Sequence, residues 1–503
     1  MEVDEVTKIA KDRVDLAKAL IRASEKSEKP KSAGKTNPNA KSIADAPAKG
    51  ILSLTFVQIP LNITDVNGTE REVEYDVALL WPWDMLNWLW ESGNFLSWVS
   101  DNPENAHDRV EEYWTHCEEL DFFHRLGLPK SQYRYCVPFL FHADGVKIYK
   151  SQKAWVYSYA SACRKGTSIE TKLVLLILRE ATIIKDRSHD RVGETIGYIM
   201  RTLMTGTYPS VDHRGEPFLV GSAEYARAGN LFAGGWSMAF SGFKSDWEAR
   251  HIIHKSNRFY NSRWVCEHCL ASRDPDLTFG DFRMTANCLS HRFSHQDYLI
   301  MNASRLSSWV SVPGWTKDRN LEGIACVLIA ALVCDSLERS IPDLTLKSMD
   351  QLLASDVYVH YKSWCRSKGH HATSCSFRFS TGRFGKETWA TCPELGSVYK
   401  AAVVKSMIFW CAAYLREHQT APNGRLRYLC MQQFATFQYL LDSNGPFFSR
   451  DMSLRNPRFE HCYQDEDLMM EISRISSRTH PSTMELVTMR RYRALLQFFI
   501  HPA

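Results

Sequence analysis

The pattern of apolar and polar positions changes several times along the chain, and each change marks an element. From Ile51, ILSLTFVQIPLNI has strand character, and Asn67-Gly68 precedes EREVEYDVALL, which also alternates, so the spacing predicts a hairpin. After Trp81-Pro82-Trp83-Asp84, apolar residues recur at helical spacing at Leu86, Leu89, Trp90, Phe95, Leu96 and Trp98. Such an aromatic stripe reads as core packing, with base stacking as the alternative. Residues 103 to 133, with Trp114, Cys117, Phe122 and Phe123, continue as helix and loop.

Between 134 and 250 the signals fall into a definite order. An apolar run from Val137 ends on His142-Ala143-Asp144-Gly145; a second, Lys153 to Ala160, alternates; a third, Leu173 to Leu178, is wholly apolar and so reads as a central strand. Glu194 to Met204 predicts a helix, Trp236 to Phe243 a strand ending near Asp246, and the chain from Trp247 a helix with Asp246 as its N-cap. The order is β-β-β-α-β-α, an α/β (α+β) class with a mixed sheet. Further on, residues 320 to 360 and 396 to 445 carry apolar positions at three and four spacing and predict long helices. Met489 to Ile500 reads as a closing amphipathic helix with Arg490, Arg491 and Arg493 facing solvent, with DNA contact as the alternative.

Composition narrows the classes. With 503 residues, 44% hydrophobic and 12% aromatic, the chain is neither disordered nor fibrous, and its length suits two to four domains or one domain with large insertions. Residues 1 to 50 differ: 11 Lys and Arg, 8 Asp and Glu and no aromatic residue predict a solvated tether. A formal net charge of +4 excludes a uniformly basic coat but leaves room for a local basic groove. The opening MEVDEVTKIAKDR has no apolar h-region, and the longest apolar run, Ile324 to Cys334, has 11 residues, so no membrane segment is expected. The 14 cysteines are then read as reduced thiols, among which a close pair suits a metal better than a disulfide.

Two groups of residues carry candidate chemistry. Asp144 and Asp246 close the first and fourth predicted strands, which can be neighbours in a mixed sheet of this order. Facing carboxylates repel unless a cation lies between them, and hard oxygen donors favour Mg²⁺ or Mn²⁺, which serve phosphoryl transfer. The competing reading makes Asp144 part of an Asp-Gly turn and Asp246 a helix cap only. The second group is Cys266-Glu267-His268-Cys269, with His291 and His295 downstream as the second half of a tetrahedral Zn²⁺ site and Cys288 as an alternative to either histidine. Buried free thiols with surface histidines are the other option. Between the long helices, Lys362, Arg366, Lys368, Arg378, Arg383 and Lys386 lie among Trp364, Phe377, Phe379 and Phe384. That mixture suits either a nucleic-acid groove or a packed hairpin. Cys365, His370, His371 and Cys375 form an irregular further candidate for a metal.

Taken in order, these elements resemble those of plant CACTA-type (En/Spm) transposases: His142-Ala143-Asp144-Gly145, Trp236 to Asp246, Cys266 to Cys269, His291-Arg292-Phe293 with His295, and Asn320-Leu321-Glu322 ahead of Val333-Cys334-Asp335-Ser336-Leu337. The match spans roughly residues 135 to 340. The chain is also similar to transposase-like proteins of dinoflagellate genomes, through Trp81-Pro82-Trp83-Asp84, Lys244-Ser245-Asp246, Val312-Pro313-Gly314-Trp315 and Lys400-Ala401-Ala402 ahead of Ile408-Phe409-Trp410.

The resemblance implies an RNase H-like core with Asp-Asp-Glu chemistry. Asp144 and Asp246 match its first two acids, and Glu322 takes the place of a family Asp, without the His that follows it there. Asp335 and Glu394 are the other carboxylates in reach of that role. The implied cofactors are structural Zn²⁺ and catalytic Mg²⁺ or Mn²⁺, the implied partner is DNA, with a homo-oligomer as an option, and the implied location is the nucleus. The expected organisation is a tail (1–50), a strand-and-helix region (51–133), the first part of the core (134–260), a zinc-knuckle insertion (261–300), a helical region completing the core (301–450) and a C-terminal helical segment (451–503). The expected activity is metal-dependent DNA strand cleavage and transfer; the alternative is an inactive relic that binds DNA or protein.

Overall fold

The computed structural model describes residues 52–64, 67–149, 152–164, 171–245, 247–258, 262–278, 286–317, 320–321, 325–369, 377–388, 395, 401–420, 423–443, 463–476 and 484–500. Seven strands, β1 (Thr55–Thr64), β2 (Glu70–Leu79), β3 (Cys136–Tyr149), β4 (Gln152–Ser161), β5 (Lys172–Arg179), β6 (Ser237–Lys244) and β7 (Asn320–Leu321), form one mixed sheet in the order β1-β2-β5-β4-β3-β6-β7. β3, β4 and β5 are an antiparallel meander, while β6 pairs in parallel with β3 and β7 in parallel with β6. The contiguous apolar run of β5 explains its place well inside the sheet: Leu173 to Leu178 are all fully buried, as a strand covered on both faces must be.

The hairpin expected around Asn67-Gly68 is present, with Thr55 opposite Leu79, Thr64 opposite Glu70 and Gly68 at φ +79° in the region that such turns favour for glycine. It joins the sheet through a single pair, Leu79 with Leu176, and the Leu80 N–H donates to the Leu175 carbonyl at 3.1 Å. The outer part of β2 therefore stands in water. Val73 and Tyr75, which continue the alternation, are exposed, and burial begins only at Val77.

The chain separates into two compact units, residues 1–321 with 467–503, and residues 322–466. In the first, α1 (Pro82–Glu91), α2 (Phe95–Val99), α3 (Ala106–Cys117) and α4 (Asp121–Leu126) precede the meander. The aromatic stripe is mainly core: Trp83, Trp88, Phe95 and Trp98 are buried, while Trp90 is exposed. The Trp98 Nε1–H donates to the Thr171 carbonyl at 3.2 Å, so a buried indole keeps its polar edge satisfied. α5 (Arg187–Thr205) connects β5 to β6 and packs on β6 and β1. It starts earlier than residue 194 because Ser188 is drawn into the core, its hydroxyl donating to the Pro60 carbonyl at 2.6 Å. α6 (Ala223–Arg227), α7 (Trp247–Ile253) and α8 (His295–Met301) are short.

The second unit contains α9 (Ala325–Ser340), α10 (Leu346–Leu352), α11 (Tyr358–Ser367), α12 (Ala401–Glu417) and α13 (Gly424–Ser443). Ile329, Val333, Met349, Val357, Tyr361, Met407 and Trp410 belong to its core. Asp335 on α9 accepts from Arg339 at 2.8 Å and from Arg427 of α13 at 2.7 Å, tying two helices together. α14 (Tyr463–Ser476) and α15 (Met484–Ile500) complete the chain.

α15 packs on β5 and β2 within the first unit. The Tyr492 hydroxyl accepts from the Val174 N–H at 3.1 Å and donates to the Lys172 carbonyl at 3.3 Å. Its basic side chains are not simply solvated, as the sequence suggested. Arg491 and Arg493 donate to the Ile475 and Leu52 carbonyls at 2.7 and 3.2 Å. Among the described residues no helix is long and apolar enough to cross a membrane.

Candidate functional site

At one end of the sheet, three adjacent parallel strands share a rung: His142 of β3 pairs with Lys244 of β6, and Lys244 pairs with Leu321 of β7. In sequence, Asp144 follows this rung by two positions, Asp246 by two and Glu322 by one. Asp246, Glu322 and the remoter Glu394 lie outside the described residues. His142 and Lys244 are buried, whereas Asp144 is half-buried with its Oδ1 accepting from the Gly145 N–H at 2.6 Å. The structure corrects the expectation that Asp144 ends its strand at an Asp-Gly turn. β3 continues to Tyr149, with Asp144 opposite Val156 and Gly145 opposite Trp155. Pairing with β4 overrides the local turn tendency of the dipeptide. The β3–β6 pairing stops at His142, so Asp144 sits where β3 runs on beyond its β6 neighbour.

Asp335, the other described carboxylate considered for a third acid, already accepts from two arginines and serves as a helix tie.

The CxxC segment lies in a small fold of its own. Cys269 and Cys288 are buried together with Ala271 and Ala286, and Cys266 packs against them. Two backbone bonds hold the halves: the Leu270 N–H donates to the Cys288 carbonyl and the Phe293 N–H to the His268 carbonyl, both at 3.0 Å. The His268 N–H donates to the Cys266 sulfur at 3.3 Å. Burial pushes the Cys269 thiol pKa up, and the neighbouring Cys266 and Cys288 add to the shift.

Cys269 also bridges to Arg292, which brings the residue after His291 alongside the thiol pair. His295 has different neighbours: it is buried against Tyr298 and Trp315, and its Nδ1 accepts from the Lys317 N–H at 3.3 Å. The third sulfur beside the pair is thus Cys288, and Cys288-Leu289-Ser290-His291 repeats the two-residue spacing of Cys266-Glu267-His268-Cys269. Among the described residues, no group of three or more His, Cys, Asp and Glu side chains is drawn into a ready cage for a metal ion.

This small fold is anchored by buried charge. Arg258 donates to the Cys266 and Cys269 carbonyls, each at 3.0 Å, and lies over the Phe293 ring. Arg250 on α7 pairs with Glu267 at 3.5 Å, with both side chains almost wholly buried. Neither anchor has a motif; a charged residue between two cysteines was the only hint in the sequence. His254, which follows α7, is sealed between Phe243, Trp309 and Trp315, where burial holds its pKa well below the usual histidine range.

The basic and aromatic stretch of the second unit resolves differently from a stacking surface. Phe379 and Phe384 are buried in that unit's core, and Lys386 is buried and paired with Glu338 at 3.0 Å. Arg383 lies over Phe377. Cys365 is also a core residue, and His370, His371 and Cys375 lie outside the described residues.

No protein-family model, curated protein or solved structure matches this chain.

Proposed function

We propose that this chain is a transposase-derived nuclear protein whose first unit is an RNase H-like nuclease core, acting on DNA by metal-dependent strand cleavage and transfer. The observation that carries this reading is the shared rung of His142, Lys244 and Leu321, because the three acids named from the sequence each follow it by one or two residues. The order β5-β4-β3-β6-β7 adds support: an antiparallel meander, a helical crossover and two further strands parallel to the first. The described residues supply one hard oxygen donor, the half-buried Asp144 carboxylate, at the place where the β6 pairing ends.

Divalent ions such as Mg²⁺ or Mn²⁺ held by such acids activate an attacking oxygen and stabilise the leaving one. The protein's share is to hold the Asp144 carboxylate on a paired strand, at the place where the β6 pairing ends. His142 and Lys244, buried behind the edge, belong to that support.

In the same reading Cys266, Cys269, Cys288 and His291 hold a structural Zn²⁺. The donor chemistry fits, with three thiols and an imidazole in two repeats of the same spacing, and so does the N–H bond to the Cys266 sulfur.

The test compares nicking and strand transfer of plasmid DNA by the full chain and by Asp144→Asn, with Mn²⁺ or Mg²⁺. Activity in the parent and a loss of roughly 100-fold or more in the variant are expected, about 2.7 kcal/mol in barrier. Equal activity in both proteins overturns the catalytic assignment. An inert parent that still binds DNA or a protein partner leaves the relic reading.

A further inference from the structure

A second site lies in the first unit, on the side of α1. A small open pocket is lined by Trp81, Trp83, Tyr198 and Tyr208, with the carboxylates of Asp212 and Glu224. We propose that this pocket binds a quaternary ammonium group, that of a trimethylated lysine side chain in a peptide. The proposal is independent of the nuclease reading.

The rings come from three separate parts of the chain and do not lie in one plane. Trp81 and Trp83 stack at 4.6 Å with 15° between their planes, while Tyr198 stands edge-on to them at 70° and 86°. Trp81 and Trp83 each give one face to the other and Arg227 lies over one face of Tyr208, so the remaining aromatic surface in the lining is what a cation meets; such surface attracts a cation that has little hydration to lose, which is the condition met by a methylated ammonium. An apolar pocket of this size without charge preference would also accept a planar base, so the electrostatics decide.

Arg227, the one arginine in the lining, is neutralised by Asp84 at 2.6 Å and lies 4.7 Å from the centre of the Tyr208 ring. His213 also lines the pocket, and burial pushes its pKa down, which favours the neutral imidazole. Asp212 and Glu224 then leave the lining negative. A phosphate-bearing nucleotide is disfavoured there and a cation favoured.

The rim shows that the partner is longer than a free ammonium ion. Phe218 lines the pocket, and the next two residues, Leu219 and Val220, are 82% and 84% exposed. Two adjacent large aliphatic side chains held in water beside a pocket mark a contact surface for the residues flanking the inserted side chain. The loop that carries them is ordered by its own turn, in which Asp212 Oδ1 accepts from the Arg214 and Glu216 N–H groups at 2.8 and 2.9 Å.

The experiment titrates the full chain by tryptophan fluorescence and calorimetry with one peptide in unmodified and trimethyl-lysine forms, with tetramethylammonium chloride, and with nucleoside monophosphates. The expected result is that the trimethylated peptide binds about 10-fold or more tightly than the unmodified one and that tetramethylammonium competes with it. Trp81→Leu and the exposed Glu224→Gln should each weaken both ligands, while Leu219→Asp should weaken the peptide alone. Equal affinity for the two peptides, or tighter binding of a nucleoside monophosphate than of tetramethylammonium, overturns the proposal. Glu224→Gln keeps the test decisive if Trp81→Leu fails to fold.

Discussion

Tyr157 on β4 and His189 near the start of α5 share a hydrogen bond of 2.5 Å between the phenol oxygen and Nδ1, deep in the first unit. Burial keeps the phenol protonated and pushes the histidine pKa down to about 4, against a smaller opposing pull from Asp190 and Asp186. The unfolded chain takes up a proton near the ordinary value of ~6.5, the folded chain only near 4. Between these values the unfolded state binds more protons, so stability is complete above about pH 6.5 and falls as the pH drops through the window. The loss from His189 is roughly 3 kcal/mol by pH 4. His254, depressed by burial as well, adds to it in the same direction. Denaturant midpoints at pH 7.5 and 5.0 check this: the midpoint should fall, and His189→Gln should flatten the dependence.

The parts of the fold legible in the sequence are those where one local signal dominates. Leu173 to Leu178, wholly apolar, read as a central strand, and Asn67-Gly68 ahead of an alternating run read as a hairpin turn; both are present. Asp144 was misplaced because Asp-Gly is a turn signal when read alone, and its strand partner Val156 is visible only after β4 has folded back. The choice of partners for the CxxC pair was ambiguous for a related reason. His291 and His295 have acceptable ligand spacing in one dimension, but packing against Tyr298 and Trp315 gives His295 other company, while Cys288 comes in beside Cys269 through a backbone bond from Leu270. Phe379 and Phe384 were readable either as stacking platforms or as packed side chains, because interleaved basic residues do not reveal which way an aromatic side chain turns; both are core residues.

Metal content separates the two ligand sets. Protein prepared with zinc should contain about one zinc per chain, as a single four-ligand site requires. Cys288→Ser should lose the metal and His295→Gln should keep it, measured by elemental analysis after gel filtration. Retention by Cys288→Ser together with loss in His295→Gln would return the fourth position to His295.

Gly193 tests the packing of α5. A Cβ there would lie 2.9 Å from Trp309 Cδ1 and would also collide with Ser308 Oγ, on a segment already bonded to the Asp190 carbonyl by Ser308 at 2.6 Å. Neither neighbour is free to retreat, because Trp309 is wholly buried against Phe141 and Phe243. Gly193→Ala gains helix propensity but should cost about 1–3 kcal/mol net through overpacking. Chemical denaturation measures it; a variant as stable as the parent would show that the segment from Ser308 to Ser311 can shift away from α5.

The buried pair of Arg250 and Glu267 makes the last prediction, because it links the helix after β6 to the CxxC turn. A buried pair is not strongly stabilising compared with an apolar replacement, but removing one partner leaves an uncompensated charge, which costs about 3–5 kcal/mol. Glu267→Ala should therefore destabilise the first unit far more than loss of an exposed ion pair such as Arg263 with Asp274, where the effect is at most about 1 kcal/mol. Since Glu267 is not among the four proposed ligands, Glu267→Ala should still bind zinc if the parent does, and its amide hydrogens in residues 262–278 should exchange faster than in the parent. A variant with normal stability and unchanged exchange would mean that the Arg258 bonds to the Cys266 and Cys269 carbonyls hold the turn by themselves. Loss of zinc in this variant alone would instead make the carboxylate part of the metal site's support, acting through the position of the two cysteines on either side of it.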